Sequence, residues 1–197
     1  MTKAIIITVI IGVVSGYLFV PDIIVEYSGT LITFGLCLLL FFVGMDIGRQ
    51  GSVFREIKRI GFRILLVPIA VMVGSLAGGA VAGLLLPMTV QDTLAVSAGF
   101  GWYSLAPIIL TDYSATVSAV SFLHNVMREV FGMVLIPIVA QYIGYLETVS
   151  LPGAASMDTC LPIVERATNS NVAIYSFVTG VIISIVVPIL VPFIISF

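Results

Sequence analysis

Four stretches of this chain, 4–20, 30–48, 64–86 and 171–197, run almost without charge; Asp46 is the one charged residue among them. A helix needs roughly 20 apolar residues to cross the hydrocarbon core of a bilayer. A water-soluble domain carries about 25 % charged residues, whereas this chain has 9 % and a mean hydropathy of +1.23. It cannot cover a soluble surface. The expected fold is all-α: a polytopic transmembrane helical bundle, one membrane domain over 1–197, with the lipid bilayer as its solvent. The net charge of −2 comes with no basic stripe, so no nucleic-acid partner is expected. Cys37 and Cys160 lie in apolar surroundings and read as small buried hydrophobes. The apolar run after Lys3 lacks a small-x-small cleavage site and reads as a retained first span.

Five of the eight basic residues, Arg49, Arg55, Lys58, Arg59 and Arg63, fall within 49–63. The positive-inside rule places that loop in the cytoplasm. Residues 21–29 then face outward, 64–86 runs outward, and 87–92 is an outer loop. The small residues of 74–83 let another helix backbone come close. A fifth long run covers 115–145. Two further segments are interrupted: 93–112 by Gly99, Gly101 and Pro107, and 152–166 by Pro152, Gly153 and Pro162. Five full spans are expected, and each interrupted segment is either a crossing or a re-entrant hairpin.

Ionisable groups at membrane depth cost about 2.5–3.5 kcal/mol on insertion scales, so they face a bundle interior or water. The run SFLHNVMREVFGMVLIP (121–137) holds His124, Asn125, Arg128 and Glu129. On a helix Asn125 and Glu129 share a face with Ser118, Ser121 and Gly132, while His124 and Arg128 form an adjacent row. The plain reading is a self-neutralised Arg–Glu pair near the surface; the functional one is an amide and a carboxylate lining a polar cavity. In the first interrupted segment, Trp102, Tyr103 and Ser104 follow Gly99 and Gly101. An unwound turn there exposes backbone groups that can hold a polar solute, as broken helices do in transporters. Trp102 as an interfacial anchor is the plainer alternative, and Asp112 suits a helix end as well as a site. In the second, a hairpin would put Ser156, Asp158 and Thr159 at its tip; an aqueous loop is the alternative. Asp46 reads as an interfacial residue balanced by Arg49. The excess of carboxylates favours a cationic substrate, a proton or a sodium ion over an anion.

Enzyme classes find little purchase. The chain has no Gly-x-x-x-x-Gly-Lys-Ser/Thr loop and no His-Glu-x-x-His pattern, and one histidine cannot build a multi-histidine metal site. No cofactor and no metal are expected, and nothing fixes a hydrolase triad.

The strings AGFGWYSLAPIILTDY (98–113), NVMREVFGMVLIPI (125–138) and GAASMDTCLPIVERA (153–167) resemble the lysine exporter family of prokaryotic membrane proteins. LLFFVGMDIG (39–48) and SLAGG (75–79) fit it too, so the resemblance covers roughly 30–195. It implies an inner-membrane, multi-pass secondary exporter of L-lysine and its toxic analogues, driven by proton antiport. Carried over by position, Glu129 is the first choice for the intramembrane acid and Asp158 the second, both as proton-coupling and substrate-binding residues. Tyr103, Ser104, Asn125, Arg128, Ser156 and Trp102 complete the expected substrate site. The lysine ammonium would pair with Glu129 or Asp158, and its α-carboxylate would meet backbone N–H groups or Arg128. Family members commonly carry a further N-terminal part of about 100 residues, enough for several spans of roughly 20. This chain matches their C-terminal two-thirds and looks like the long chain of a split exporter. A short companion chain of about 100 residues, again several spans' worth, or a homo-oligomer is therefore expected. The alternatives are a transporter of the same architecture for another amino acid or small ion, and a channel or structural subunit that needs a companion.

Overall fold

The computed structural model describes residues 2–18 and 61–197, with isolated positions 21, 27, 34, 38, 41, 42 and 45 between them. The expected span at 30–48, Asp46, Cys37 and most of the basic loop 49–63 lie outside the described residues. Among those described there are seven α-helices and no strand, so the chain adopts the all-α membrane fold its composition demands. They are α1 (Thr2–Leu18), α2 (Leu66–Leu85), α3 (Val90–Ser97), α4 (Ala106–Thr111), α5 (Ala115–Tyr142), α6 (Leu161–Ala167) and α7 (Ser170–Ile195). Short 3-10 turns occupy Gly61–Leu65, Leu146–Ser150 and Gly153–Met157.

Helices α2, α5 and α7, of 20, 28 and 26 residues, are long and apolar enough to cross a membrane. At about 1.5 Å per residue the shortest of them reaches about 30 Å. Their starts follow local rules. The hydroxyl of Ser114 accepts from Val117 N–H ahead of α5, and the side chain of Asn169 accepts from Val172 N–H ahead of α7. Such caps satisfy amides that a helix start leaves unpaired. Pro107 and Pro162 sit in the first turns of α4 and α6, where a missing N–H costs nothing. Pro137 lies inside α5, which continues through it to Tyr142.

Two contacts show how the first interrupted segment runs. Tyr113 Oη donates to Asp92 Oδ1 at 2.8 Å, tying the end of α4 to the first turn of α3. Gln91 Nε2 donates to Ile194 O at 3.0 Å, which puts the C-terminal end of α7 at that same end of the bundle. So α3, the turns at 98–105 and α4 form a hairpin that enters and leaves on one side, with its tip inside. The second interrupted segment starts at the opposite end. Leu146, Glu147 and Ser150 lie beside Leu66 and Val67 at the start of α2. Val164, near the segment's close, packs with Val149, Ile136 of α5 and Val172 of α7. This second hairpin turns at 157–160. The tips meet where Ala154 N–H donates to Phe100 O at 2.8 Å.

The first hairpin packs chiefly on α2 and α5, while helix α7 touches both hairpins and supplies most of the packing for the second. Its Ile183, Val187 and Val191 are fully buried in one cluster with Ala98, Phe100, Ala106 and Leu110 of the first hairpin. On its other side Ser156 Oγ donates to Ser176 O at 2.9 Å and Ser176 Oγ donates back to Ser156 O at 2.7 Å. Outward it shows Phe177, Ile185, Ile189 and Phe193. Apolar side chains outside and polar ones such as the hydrogen-bonded Ser176 inside are the arrangement a lipid solvent selects, although the buried Thr179 hydroxyl of α7 has no hydrogen-bond partner among the described residues.

Candidate functional site

The hairpin tips enclose a cavity of about 70 Å³. Gly101, Trp102, Tyr103 and Ser104 line it from the first hairpin, Ala154, Ala155, Met157, Asp158 and Thr159 from the second, Glu129 from α5 and Ser184 from α7. That is room for a few waters or the end of an alkylammonium chain. Glu129 is 6 % exposed and belongs to the buried row of α5 that includes Ser121, Asn125 and Gly132. Asp158 is half-buried at the second tip, where its Oδ1 accepts from Thr159 N–H at 2.6 Å and from Thr159 Oγ1 at 3.3 Å.

The tips can approach because two positions lack a Cβ. Gly101 has φ +97° and Gly153 φ +66°, a region that side-chain-bearing residues rarely occupy. A Cβ on Gly101 would stand 2.5 Å from Pro152 O, and one on Gly153 would strike Phe100 O. Phe100 itself is fully buried with φ 47°. Strained backbone of this kind persists only where the surroundings hold it in place. Here Asn125 holds it: Gly101 N–H donates to Asn125 Oδ1 at 2.7 Å, while Asn125 Nδ2 donates to Ser121 O at 2.8 Å and to Ser121 Oγ at 3.2 Å.

Arg128 serves a different part of the bundle. Its Nη1 donates to Ser75 Oγ of α2 at 2.8 Å, its Nε to Leu151 O at 3.1 Å and its Nη2 to Ser150 O at 3.2 Å. It thereby straps the entry of the second hairpin to α2 and α5. Arg128 and His124 line a second groove, of about 250 Å³, with Ser75, Gly78, Gly79 and Ser97. The two polar rows of α5 therefore look into two separate spaces, and the oxygens bound by Arg128 do not include those of Glu129.

Of the residues singled out in the sequence, Glu129, Asp158, Trp102, Tyr103 and Ser104 come together in one cavity. Asn125 lies behind it as a support, Arg128 faces the groove, and Ser156 is fully buried against α7. Met157, Thr159 and Ser184 also line the cavity without having been put forward as its binding residues. The signal for Ser184 was present: Ser176, Thr179, Gly180 and Ser184 form a small and polar stripe at helical spacing along an otherwise oily α7.

A family model described as lysine exporter LysO matches residues 6–195. Two relatives agree with it. Lysine exporter LysO of Escherichia coli K12 is 33 % identical over 153 residues, which cover 77 % of this chain and 50 % of that protein. A Haemophilus influenzae protein provisionally assigned as a lysine exporter is 31 % identical over 161 residues, 81 % of this chain and 80 % of its own length. The chain thus spans about half the length of the Escherichia coli relative. No solved structure matches it.

Proposed function

The chain belongs to the lysine exporter family, and from that premise we propose that it exports L-lysine and lysine analogues across the inner membrane as a secondary transporter, exchanging them for protons. The observation that carries this reading is the shared cavity: Glu129 from a spanning helix and Asp158 from a hairpin tip face one small space between two hairpins of opposite entry. A carboxylate in such a place needs either a proton or a cation beside it. Empty, the pair holds a proton; the side-chain ammonium of lysine replaces that proton; release on the far side lets a proton return. Ammonium and proton then compete for the same oxygens, which is the minimum an antiporter requires. Trp102 and Tyr103 supply aromatic surface for the cation and its aliphatic stem. Opposed hairpins give each membrane face its own gate, so the cavity can open to one side at a time. The family is one of exporters, and no catalytic step is assigned to these residues.

By the positive-inside reading, the 49–63 loop is cytoplasmic. The end of the bundle holding Asp92, Tyr113 and Ile194 is then extracytoplasmic, and the C-terminal end of α7 with it. A companion membrane chain, or a second copy, completes the transporter in this reading.

The test is flux. Proteoliposomes loaded with labelled L-lysine and given a pH gradient should release lysine in a gradient-dependent way, and Glu129→Gln should abolish that dependence. Undiminished, gradient-dependent flux in Glu129→Gln would remove Glu129 from the mechanism.

A further inference from the structure

Lysine brings two ammonium groups and one carboxylate to its transporter, and the cavity meets them unequally. Among the described residues that line it, the charged side chains are Glu129 and Asp158. The groups best suited to hold a carboxylate are engaged elsewhere. The guanidinium of Arg128 is spread over Ser75, Ser150 and Leu151. The Asn125 amide is used at both ends, by Gly101 and by Ser121. Three backbone N–H groups at the tips are turned into the protein as well: Trp102 N–H to Gly99 O, Ala154 N–H to Phe100 O and Asp158 N–H to Ala155 O. Among the described residues, a substrate carboxylate entering the cavity would meet only neutral donors, such as the hydroxyls and N–H groups of Tyr103 and Ser104, with two like charges close by. A buried charge without a matched partner is costly, whereas an ammonium meets both carboxylates and an indole.

Resting on the cation-transport reading above, we propose that the cavity recognises the ammonium end of its ligand without reading a carboxylate, so that linear α,ω-diamines and carboxylate-blocked lysine bind at the same place. A diamine offers an ammonium to the two acids at either of its ends and carries no anionic group to be stripped of water. An aliphatic amino acid that lacks the terminal amine offers the wrong end.

Direct binding to the purified full chain tests this, with four probes: L-lysine, lysinamide, 1,5-diaminopentane and L-norleucine. Lysinamide and 1,5-diaminopentane should bind within about threefold of lysine or tighter, and norleucine about 100-fold more weakly. Glu129→Gln and Asp158→Asn, each checked for a monodisperse folded protein, should weaken all the cationic probes by about tenfold or more. A loss of about tenfold or more on blocking or deleting the carboxylate overturns the proposal, as does norleucine binding comparable to lysine. So does cation binding that is indifferent to both acids. The outcome separates from that of the lysine reading. If 1,5-diaminopentane binds through the acids while lysine is neither bound nor moved, lysine export falls and the ammonium site stands. If lysine is exported but the two carboxylate-free probes fail, the reverse holds. Binding of none of the four overturns both.

Discussion

Gly153 decides whether the two hairpin tips can touch. It sits at φ +66°, with Phe100 O where a Cβ would be. Alanine there meets a backbone strain of about 1–3 kcal/mol before any clash is counted. The clash falls on the same carbonyl that accepts from Ala154 N–H. Gly153→Ala should therefore lower the melting temperature of the solubilised protein and silence lysine flux. Gly74→Ala, where nothing described lies within 4 Å, should do neither. Arg128 offers a second test. Arg128→Ala leaves the Ser150 and Leu151 carbonyls without their donor; the part-buried Leu151 carbonyl carries the cost of a group left unpaired, about 1–3 kcal/mol, and the exposed Ser150 carbonyl little of it. Lysine at 128 keeps the charge but lacks the planar fork, so Arg128→Lys should melt between Arg128→Ala and the native protein in a detergent thermal-shift series. The buried Asn125–Glu129 row was legible in the sequence, because i,i+4 spacing on a helix needs no tertiary knowledge. The partners of Arg128 were not: Ser150 and Leu151 follow it by 22 and 23 residues, and carbonyls carry no mark in a sequence.

Elements tell a similar story. Gly99, Gly101 and Pro107 announce a break in the first hairpin, but they cannot say whether the chain goes on or turns back. That depends on the Tyr113–Asp92 contact, whose partners stand 21 residues apart. The polar character of 152–166 was plain, yet Ser156 bonds to Ser176 of α7 while Asp158, just past the 3-10 turn, lines the cavity, a division that composition does not announce. Helix α3 opens with a reciprocal cap: Asp92 N–H donates to Thr89 Oγ1 at 3.0 Å, and Thr89 N–H donates to Asp92 Oδ2 at 3.3 Å. Thr89→Ala should cost about 0.5–2 kcal/mol, the usual worth of such a cap, and fray the entry of the hairpin in hydrogen exchange. Asp92 lies in the first turn of α3, at the entry of the hairpin and outside the three spanning helices. Burial pushes its carboxyl up, but the hydrogen bonds from Thr89 and Tyr113 outweigh that and hold it below its ordinary value of 3.8. A depressed carboxylate stabilises the fold above its unfolded pKa, and that stabilisation is lost as pH falls through the lowered value. Between about pH 5 and 3, the melting temperature of the native protein should thus fall more steeply than that of Asp92→Asn.

At the scale of the whole molecule, the chain spans about half of one relative and 80 % of another. Large apolar side chains lie exposed along α1, among them Ile10, Val13 and Tyr17. Lipid covers such a surface in a lone chain, and a neighbouring membrane chain covers it in an assembly. If a companion completes the transporter, lysine flux per mole of this chain should rise at least about tenfold, or about 1.4 kcal/mol in rate terms, when a short companion is co-expressed. Equal flux from the chain alone would make it self-sufficient. The opposed hairpins, the acids at their meeting point and the three spanning helices around them converge on one claim, that cation and proton share the oxygens of Glu129 and Asp158. Proton release tests it most directly. In weakly buffered detergent solution, adding L-lysine to the purified protein should release protons in proportion to the sites filled. Glu129→Gln and Asp158→Asn should each reduce that release. Lysine that binds with no proton released, across the pH range in which flux responds to the gradient, would contradict the account.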